Sequence, residues 1–222
     1  LGGWAAPYGI VLVADRLSTF MVALTSVLGA CSLIFALARW DRAGPRFHAL
    51  FLLLAMGVNG AFLTGDLFNL FVFFEIMLAA SYGLALHGSG EARIRAGLTY
   101  IAVNLTASLL FLIGVSLIYG VTGTLNMADL RGAVAASPDQ GLMTLIAIML
   151  MVAFGMKAAV FPLFFWLPAS YHTPHYAVSA VFAGLLTKVG VYALLRVFTL
   201  IFVGDLGYTH EILLWVSLLT ML

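Results

Sequence analysis

Charge is what this sequence has least of. Asp, Glu, Lys and Arg together make up 9% of its 222 residues, against 64% hydrophobic residues and a mean hydropathy of +1.12. A soluble domain carries about a quarter of its residues charged, so a soluble globular fold is excluded and the chain reads as a polytopic membrane protein. The net charge of +1, spread over short loops, excludes a nucleic-acid partner. The single cysteine, Cys31, rules out an intramolecular disulfide and a cysteine-ligated cluster. No GxxxxGK[ST] run and no GxGxxG in a strand–helix context occurs, so nothing supports ATP-driven transport by this chain. His48, His87, His172, His175 and His210 all fall at the ends of apolar runs or between them, which leaves no histidine placed to ligate haem inside a bundle. There is no signal-peptide pattern. The start at Leu1 and the end inside an apolar run lead us to expect an internal fragment of a longer protein.

What the sequence does have is long apolar runs. They predict an all-α bundle in a single transmembrane domain, with six complete spans at about 17–38, 47–63, 67–86, 94–119, 142–167 and 176–203. A further span starts at 212–222, and a short interfacial helix is expected within 125–137. The loop 39–46 holds three Arg against one Asp, and 91–95 holds two Arg against one Glu; by the positive-inside rule both are cytoplasmic. The acidic stretches 129–139 and 205–211 then lie outside.

Within the third run, GDLFNLFVFFEIMLAASYG, stands one carboxylate, Glu75, close to the bilayer midplane. An acid there costs about 2.5 kcal/mol or more, so it faces protein or water, carries a partner, or stays protonated. Intramembrane acids usually mark ion paths; a protonated Glu75 that only glues helices together is the plainer alternative. Asn104, Thr106 and Ser108 on the fourth run read as helix-packing groups.

Two lysines complete the set. Lys157 sits near the middle of 142–167, and Pro162 follows five residues later. A proline inside a helix withholds an amide hydrogen and obstructs the carbonyl one turn back, here that of Ala158, so a break at membrane depth is predicted. Broken helices commonly line ion sites in transporters; a simple kink is the alternative. Lys188 lies near the middle of 176–203, beside Ala183, Gly184 and Gly190, and these small residues suggest that it faces the bundle interior. Burial and a neighbouring carboxylate act on a lysine in opposite senses, so Glu75 with Lys157 can hold a proton loosely enough to release it. Lys188 would extend the relay. A purely structural Glu75–Lys157 ion pair leaves Lys188 unpaired.

The segments GDLFNLFVFFEI around Glu75, KAAVFPLFFWLP around Lys157 and LLTKVGVYALLR around Lys188 together resemble the D-type subunits of the Mrp-type monovalent cation/proton antiporters. The likeness extends to the proton-pumping membrane subunits of respiratory complex I and the membrane-bound hydrogenases. It implies two inverted five-helix repeats per subunit, of which this chain holds mainly the first. It also implies roles: Glu75 as the pairing acid, Lys157 as the proton carrier on the broken helix, Lys188 as the next relay member. A sodium/proton antiporter subunit in the bacterial plasma membrane follows, working with other subunits and without a cofactor or metal of its own. The alternatives are a redox-driven complex I or hydrogenase subunit, and a scaffold that only anchors partners. Complex I subunits commonly read PLHVWLP where this chain has Pro162-Leu163-Phe164-Phe165-Trp166-Leu167-Pro168, and the missing histidine favours the Mrp branch. His175-Tyr176 stand where further proline is expected.

Overall fold

The computed structural model describes residues 3–38, 46–87, 90–204 and 207–222. The loop charges Arg39, Asp41, Arg42 and Asp205 therefore lie outside the described residues. Helices dominate: α1 (Arg16–Ala36), α2 (Phe47–Leu63), α3 (Leu67–Ala85), α4 (Glu91–Thr122), the short α5 (Met127–Ala135), α6 (Gln140–Ala158), α7 (Trp166–Tyr171), α8 (Tyr176–Val181), α9 (Thr187–Leu200) and α10 (Thr209–Met221). A π-helical turn, Phe182–Leu186, joins α8 to α9, so that Tyr176–Leu200 runs as one rod. Five of the described helices are long and apolar enough to cross a membrane, while α2 and α10 are shorter.

Polar caps explain where several of these helices start. Asp15 accepts from the Ser18 amide and the Ser18 hydroxyl accepts from the Asp15 amide, a capping box that opens α1. Asp66 caps α3 through the Asn69 amide, Asn126 caps α5 through those of Ala128 and Asp129, and Asp139 caps α6 through that of Leu142. All four caps belong to the same end of the bundle by chain alternation. That end is also tied by backbone bonds: the Val13 amide donates to the Leu63 carbonyl (2.6 Å), Gly65 to Val11 (2.9 Å), Leu67 to Leu125 (2.9 Å) and Met127 to Gly65 (2.9 Å). The approach to α1, the α2–α3 turn and the α4–α5 loop thus share one hydrogen-bonded layer. At the opposite end Arg93 donates to the carbonyls of Thr173 and His87, at 3.1 and 2.8 Å.

Helix α3 is held closely on α2. A Cβ added at Gly57 would stand 2.6 Å from the Met77 backbone nitrogen, so only glycine allows this approach. With α4 and α6 packed on it in turn, α3 contributes Phe74, Met77 and Leu78 to a continuous buried core. Large apolar side chains such as Phe20, Val27 and Ile34 on α1 remain exposed, as suits a helix bordering lipid.

The break predicted at Pro162 within the span 142–167 falls earlier. Helix α6 stops at Ala158, and Ala159 takes a left-handed conformation (φ 56°). The break therefore begins three residues before Pro162. Its cause is this C-terminal cap, with the Ala159 and Val160 amides turned back onto the carbonyls of Met156 and Gly155. Pro162 lies in the non-helical connection before α7, where its missing amide hydrogen leaves no helical bond unmade.

Candidate functional site

Because α6 ends at Ala158, Lys157 occupies its last turn, where the helix dipole favours a cation. It is 4% exposed, deep in the bundle, rather than mid-way along an unbroken helix. Gly190 of α9 makes this depth possible: a Cβ there would lie 2.5 Å from the Ala158 backbone nitrogen, so α9 packs directly on the end of α6.

The Lys157 ammonium does not reach Glu75 directly. It donates to Ser108 Oγ of α4 at 2.9 Å, and the same hydroxyl donates to Glu75 Oε1 of α3 at 2.5 Å. One serine on a third helix therefore joins the two charges. The ammonium also lies 4.9 Å from the centroid of the Phe74 ring, within cation–π range. Glu75 is half-buried, whereas Ser108 is 3% exposed.

Sequence reasoning treats Ser108 as a packing group and misses its place at the centre of the site. Helical phase carries part of the signal. Asn104 and Ser108, four residues apart, are both buried, while Thr106 between them is exposed and bonds only to its own helix at the Ala102 carbonyl. Which of the two bonds to Lys157 depends on how α4 and α6 are set against each other.

Aromatic residues enclose the site in two differently built layers. Toward the Thr64 end, Phe74, Phe111 and Phe154 pack on one another, with Phe111 and Phe154 centroids 4.7 Å apart. Toward the Arg93 end stand Tyr100, Trp166 and Tyr171, in which Tyr100 Oη shares a 2.8 Å hydrogen bond with Ser81 and Trp166 Nε1 donates to the Met156 carbonyl at 3.1 Å. One layer is purely hydrocarbon; the other carries polar atoms.

Lys188 is not brought to this site. It is exposed, and its ammonium donates to the Ala183 carbonyl at 2.6 Å and to Thr187 Oγ1 at 3.4 Å. The small residues near it do mark close packing, but on other faces. Gly190 is two residues further along α9, on the opposite side of the helix, and a Cβ on Gly184 would meet Leu28 of α1. The π-turn just before Lys188 widens the helix and leaves the Ala183 carbonyl within its reach.

A run of 159 residues, 64–222, matches the family described as NADH:quinone oxidoreductase/Mrp antiporter, TM. The chain belongs to this family. It is 52% identical over 223 residues to the D-type subunit of an Na(+)/H(+) antiporter from Alkalihalophilus pseudofirmus, an alignment that covers 100% of this chain and 45% of that relative. It is 59% identical over 204 residues to the D-type subunit of a probable K(+)/H(+) antiporter from Rhizobium meliloti, covering 91% of this chain and 38% of the relative. Its backbone matches the Mrp complex from Dietzia sp. with a TM-score of 0.86 at 42% identity, over 99% of this chain and 40% of that one. The chain thus spans less than half the length of the relatives it matches. Its apolar helices and its bacterial relatives make this Mrp/oxidoreductase family member a multi-pass plasma-membrane protein.

Proposed function

We propose that this chain is the first proton-conducting half of a D-type subunit in a multisubunit monovalent cation/proton antiporter, with protons passing between Glu75 and Lys157 through Ser108 and onward by Lys188. The observation that carries this reading is the unbroken hydrogen-bonded chain from Lys157 Nζ through Ser108 Oγ to Glu75 Oε1. A hydroxyl that accepts from an ammonium and donates to a carboxylate can hand a proton across without becoming charged itself. As Lys157 gives a proton to Ser108, Ser108 gives its own to Glu75, and an ion pair becomes a neutral amine and a neutral acid. Both states are tolerable at low dielectric, the first because the charges face each other and the second because none remains.

The surroundings support a directed transfer. The phenylalanine layer shields one side of the ammonium, and the half-buried Glu75 has the looser contact with its surroundings. The broken helix leaves Lys157 in a terminal turn, able to swing between partners more readily than on a continuous helix. Lys188, on an exposed face of α9, would take the proton toward whatever covers that face in the complete subunit. The other antiporter subunits are the expected partners, and sodium the expected counter-ion. The same family includes oxidoreductase members, and in that setting the proton chemistry would be unchanged while a redox reaction supplied the driving force.

The test is proton flux driven by a sodium gradient in everted vesicles that contain the complete complex. Glu75→Gln and Lys157→Ala should each remove it with assembly intact. Full exchange in Lys157→Ala would overturn the assignment, and would support the scaffold alternative if the Glu75 and Lys188 variants were equally active.

A further inference from the structure

Toward the Arg93 end, the polar layer contains one group that the relay does not use. Tyr171, the last residue of α7, is 9% exposed, and its hydroxyl is buried without a hydrogen-bond partner among the described residues. Buried hydroxyls almost always find a partner, either protein or ordered water. The phenol ring is fixed by a T-shaped contact with Trp166 (5.7 Å) and a tilted one with Phe182 (5.7 Å), so it cannot turn away to find one elsewhere.

Tyr171 lines a cavity of about 10 Å³ together with Lys157, Asn104, Tyr100, Trp166, Leu186 and two α3 side chains. That volume is about what one water molecule requires, provided that two to four polar groups surround it. Two of the polar liners are already committed, Tyr100 Oη to Ser81 and Trp166 Nε1 to the Met156 carbonyl. Three retain capacity. Lys157 uses one of its three N–H bonds on Ser108, and Asn104 gives its amide to the Tyr100 carbonyl (3.0 Å) with no partner at its side-chain oxygen among the described residues. Tyr171 is the third.

We propose that Lys157, Asn104 and Tyr171 hold a single ordered water, and that Tyr171 acts through it as a positioning residue for the Lys157 ammonium. The water accepts from the ammonium and donates to Asn104 or Tyr171, giving Lys157 a second resting place one turn of α4 away from Ser108. Leu186, the last residue of the π-turn, forms part of the wall, so the cavity is closed by the buried face of this rod. The inference rests on the relay reading of Lys157 and adds the group that draws the ammonium off Ser108.

The complete complex offers two independent tests. High-resolution density should show one water within hydrogen-bond distance of both Lys157 Nζ and Tyr171 Oη. Tyr171→Phe, which preserves the ring contacts, should lose that water and lower the maximal exchange rate about tenfold, the effect of one hydrogen bond. The half-saturating sodium concentration should stay within about twofold, because ordering of the ammonium rather than cation affinity is at stake. Absence of the water, a protein group bonded to Tyr171 Oη in its place, or a wild-type rate in Tyr171→Phe would each overturn the proposal. Lys157→Ala in the same assay separates the two levels: if it retains exchange, the relay itself fails, whereas if it is inactive and Tyr171→Phe is not, only the role of Tyr171 fails.

Discussion

Lys157 and Lys188 occupy similar places in the sequence, each flanked by apolar residues on both sides, and the fold treats them in opposite ways. Lys157 is 4% exposed and reaches another helix, whereas Lys188 is exposed and bonds to its own. The cause is local helix geometry in each case. At Lys157 the helix ends, which leaves the side chain at a terminus favourable to a cation and pointing at Ser108. Lys188 stands two residues before Gly190 on α9, so it emerges on the face away from the α6 contact and bonds back to the Ala183 carbonyl of the π-turn. A charge at membrane depth is therefore placed by local backbone geometry as much as by its position along a span.

The comparison breaks most visibly if the two lysines prove interchangeable. Lys157→Ala should lower cation-driven proton flux in the complete complex by about a hundredfold or more, as loss of a proton-transfer group does. Lys188→Ala should cost about tenfold, because Lys188 bonds within its own helix segment whereas Lys157 links three helices. Equal losses would mean that the exposed setting of Lys188 has no bearing on its role. Ser108→Ala and Ser108→Thr sharpen the point. The alanine variant removes the hydroxyl that joins Lys157 to Glu75 and should reduce flux about tenfold, while threonine keeps the hydroxyl and should recover most of it. Flux measured side by side in vesicles with matched complex content decides among these outcomes.

A membrane bundle is legible in the sequence because about two-thirds of the residues are apolar and occur in long runs, and composition alone excludes other fold classes. Glu75 and Lys157 are each legible as unusual charges, since isolated charges in such runs have few explanations, but their approach to one another is implied by the family resemblance and not by the residues. The bridge is not. Ser108 is one of several hydroxyls on α4, and its role depends on a meeting of three helices that no local pattern encodes. Pro162 points to the broken helix but places the break too late, since the left-handed turn falls on Ala159, a residue with no preference for it. The small neighbours of Lys188 signal close packing without saying which of them shares a face with the lysine, and Gly190, two residues on, does not.

The packing that seats Lys157 can be tested apart from its chemistry. Gly190→Ala introduces a Cβ 2.5 Å from the Ala158 nitrogen, and a backbone atom cannot yield as a flexible side chain would. Helix α9 must shift from α6, at a cost of about 1–3 kcal/mol. Thermal unfolding of the purified complex should show a lowered midpoint, and flux should fall with it because the end of α6 moves. Gly120→Ala, where a Cβ meets nothing within 4 Å, is the control and should change neither. An unaltered midpoint in Gly190→Ala would remove the close approach from the account of how Lys157 is buried.

The smallest effect is expected at a third cation, Arg196, which shares α9 with Lys188 and is fully engaged in structure. Its guanidinium forms an ion pair with Asp15, donates from Nε to Tyr192 Oη at 2.9 Å, and through that hydroxyl is tied to the Phe62 carbonyl. The Asp15 carboxyl is held down to about 2, first by the Ser18 backbone amide and next by Arg196. A carboxyl lowered from its ordinary 3.8 contributes stability that is present in full above that value and is lost as the pH falls through about 2. Since the Asp15 side chain is 38% exposed, solvent screening keeps the contribution below about 1 kcal/mol. Asp15→Asn retains an N-cap but not the charge, so it should lower the unfolding midpoint slightly at pH 7, and the difference from wild type should shrink as the pH approaches 2. Exchange at neutral pH should be unchanged, in contrast to both lysines. A large loss of flux in Asp15→Asn, with the complex intact, would show that Arg196 belongs with the charges proposed to carry protons rather than with the framework that holds them.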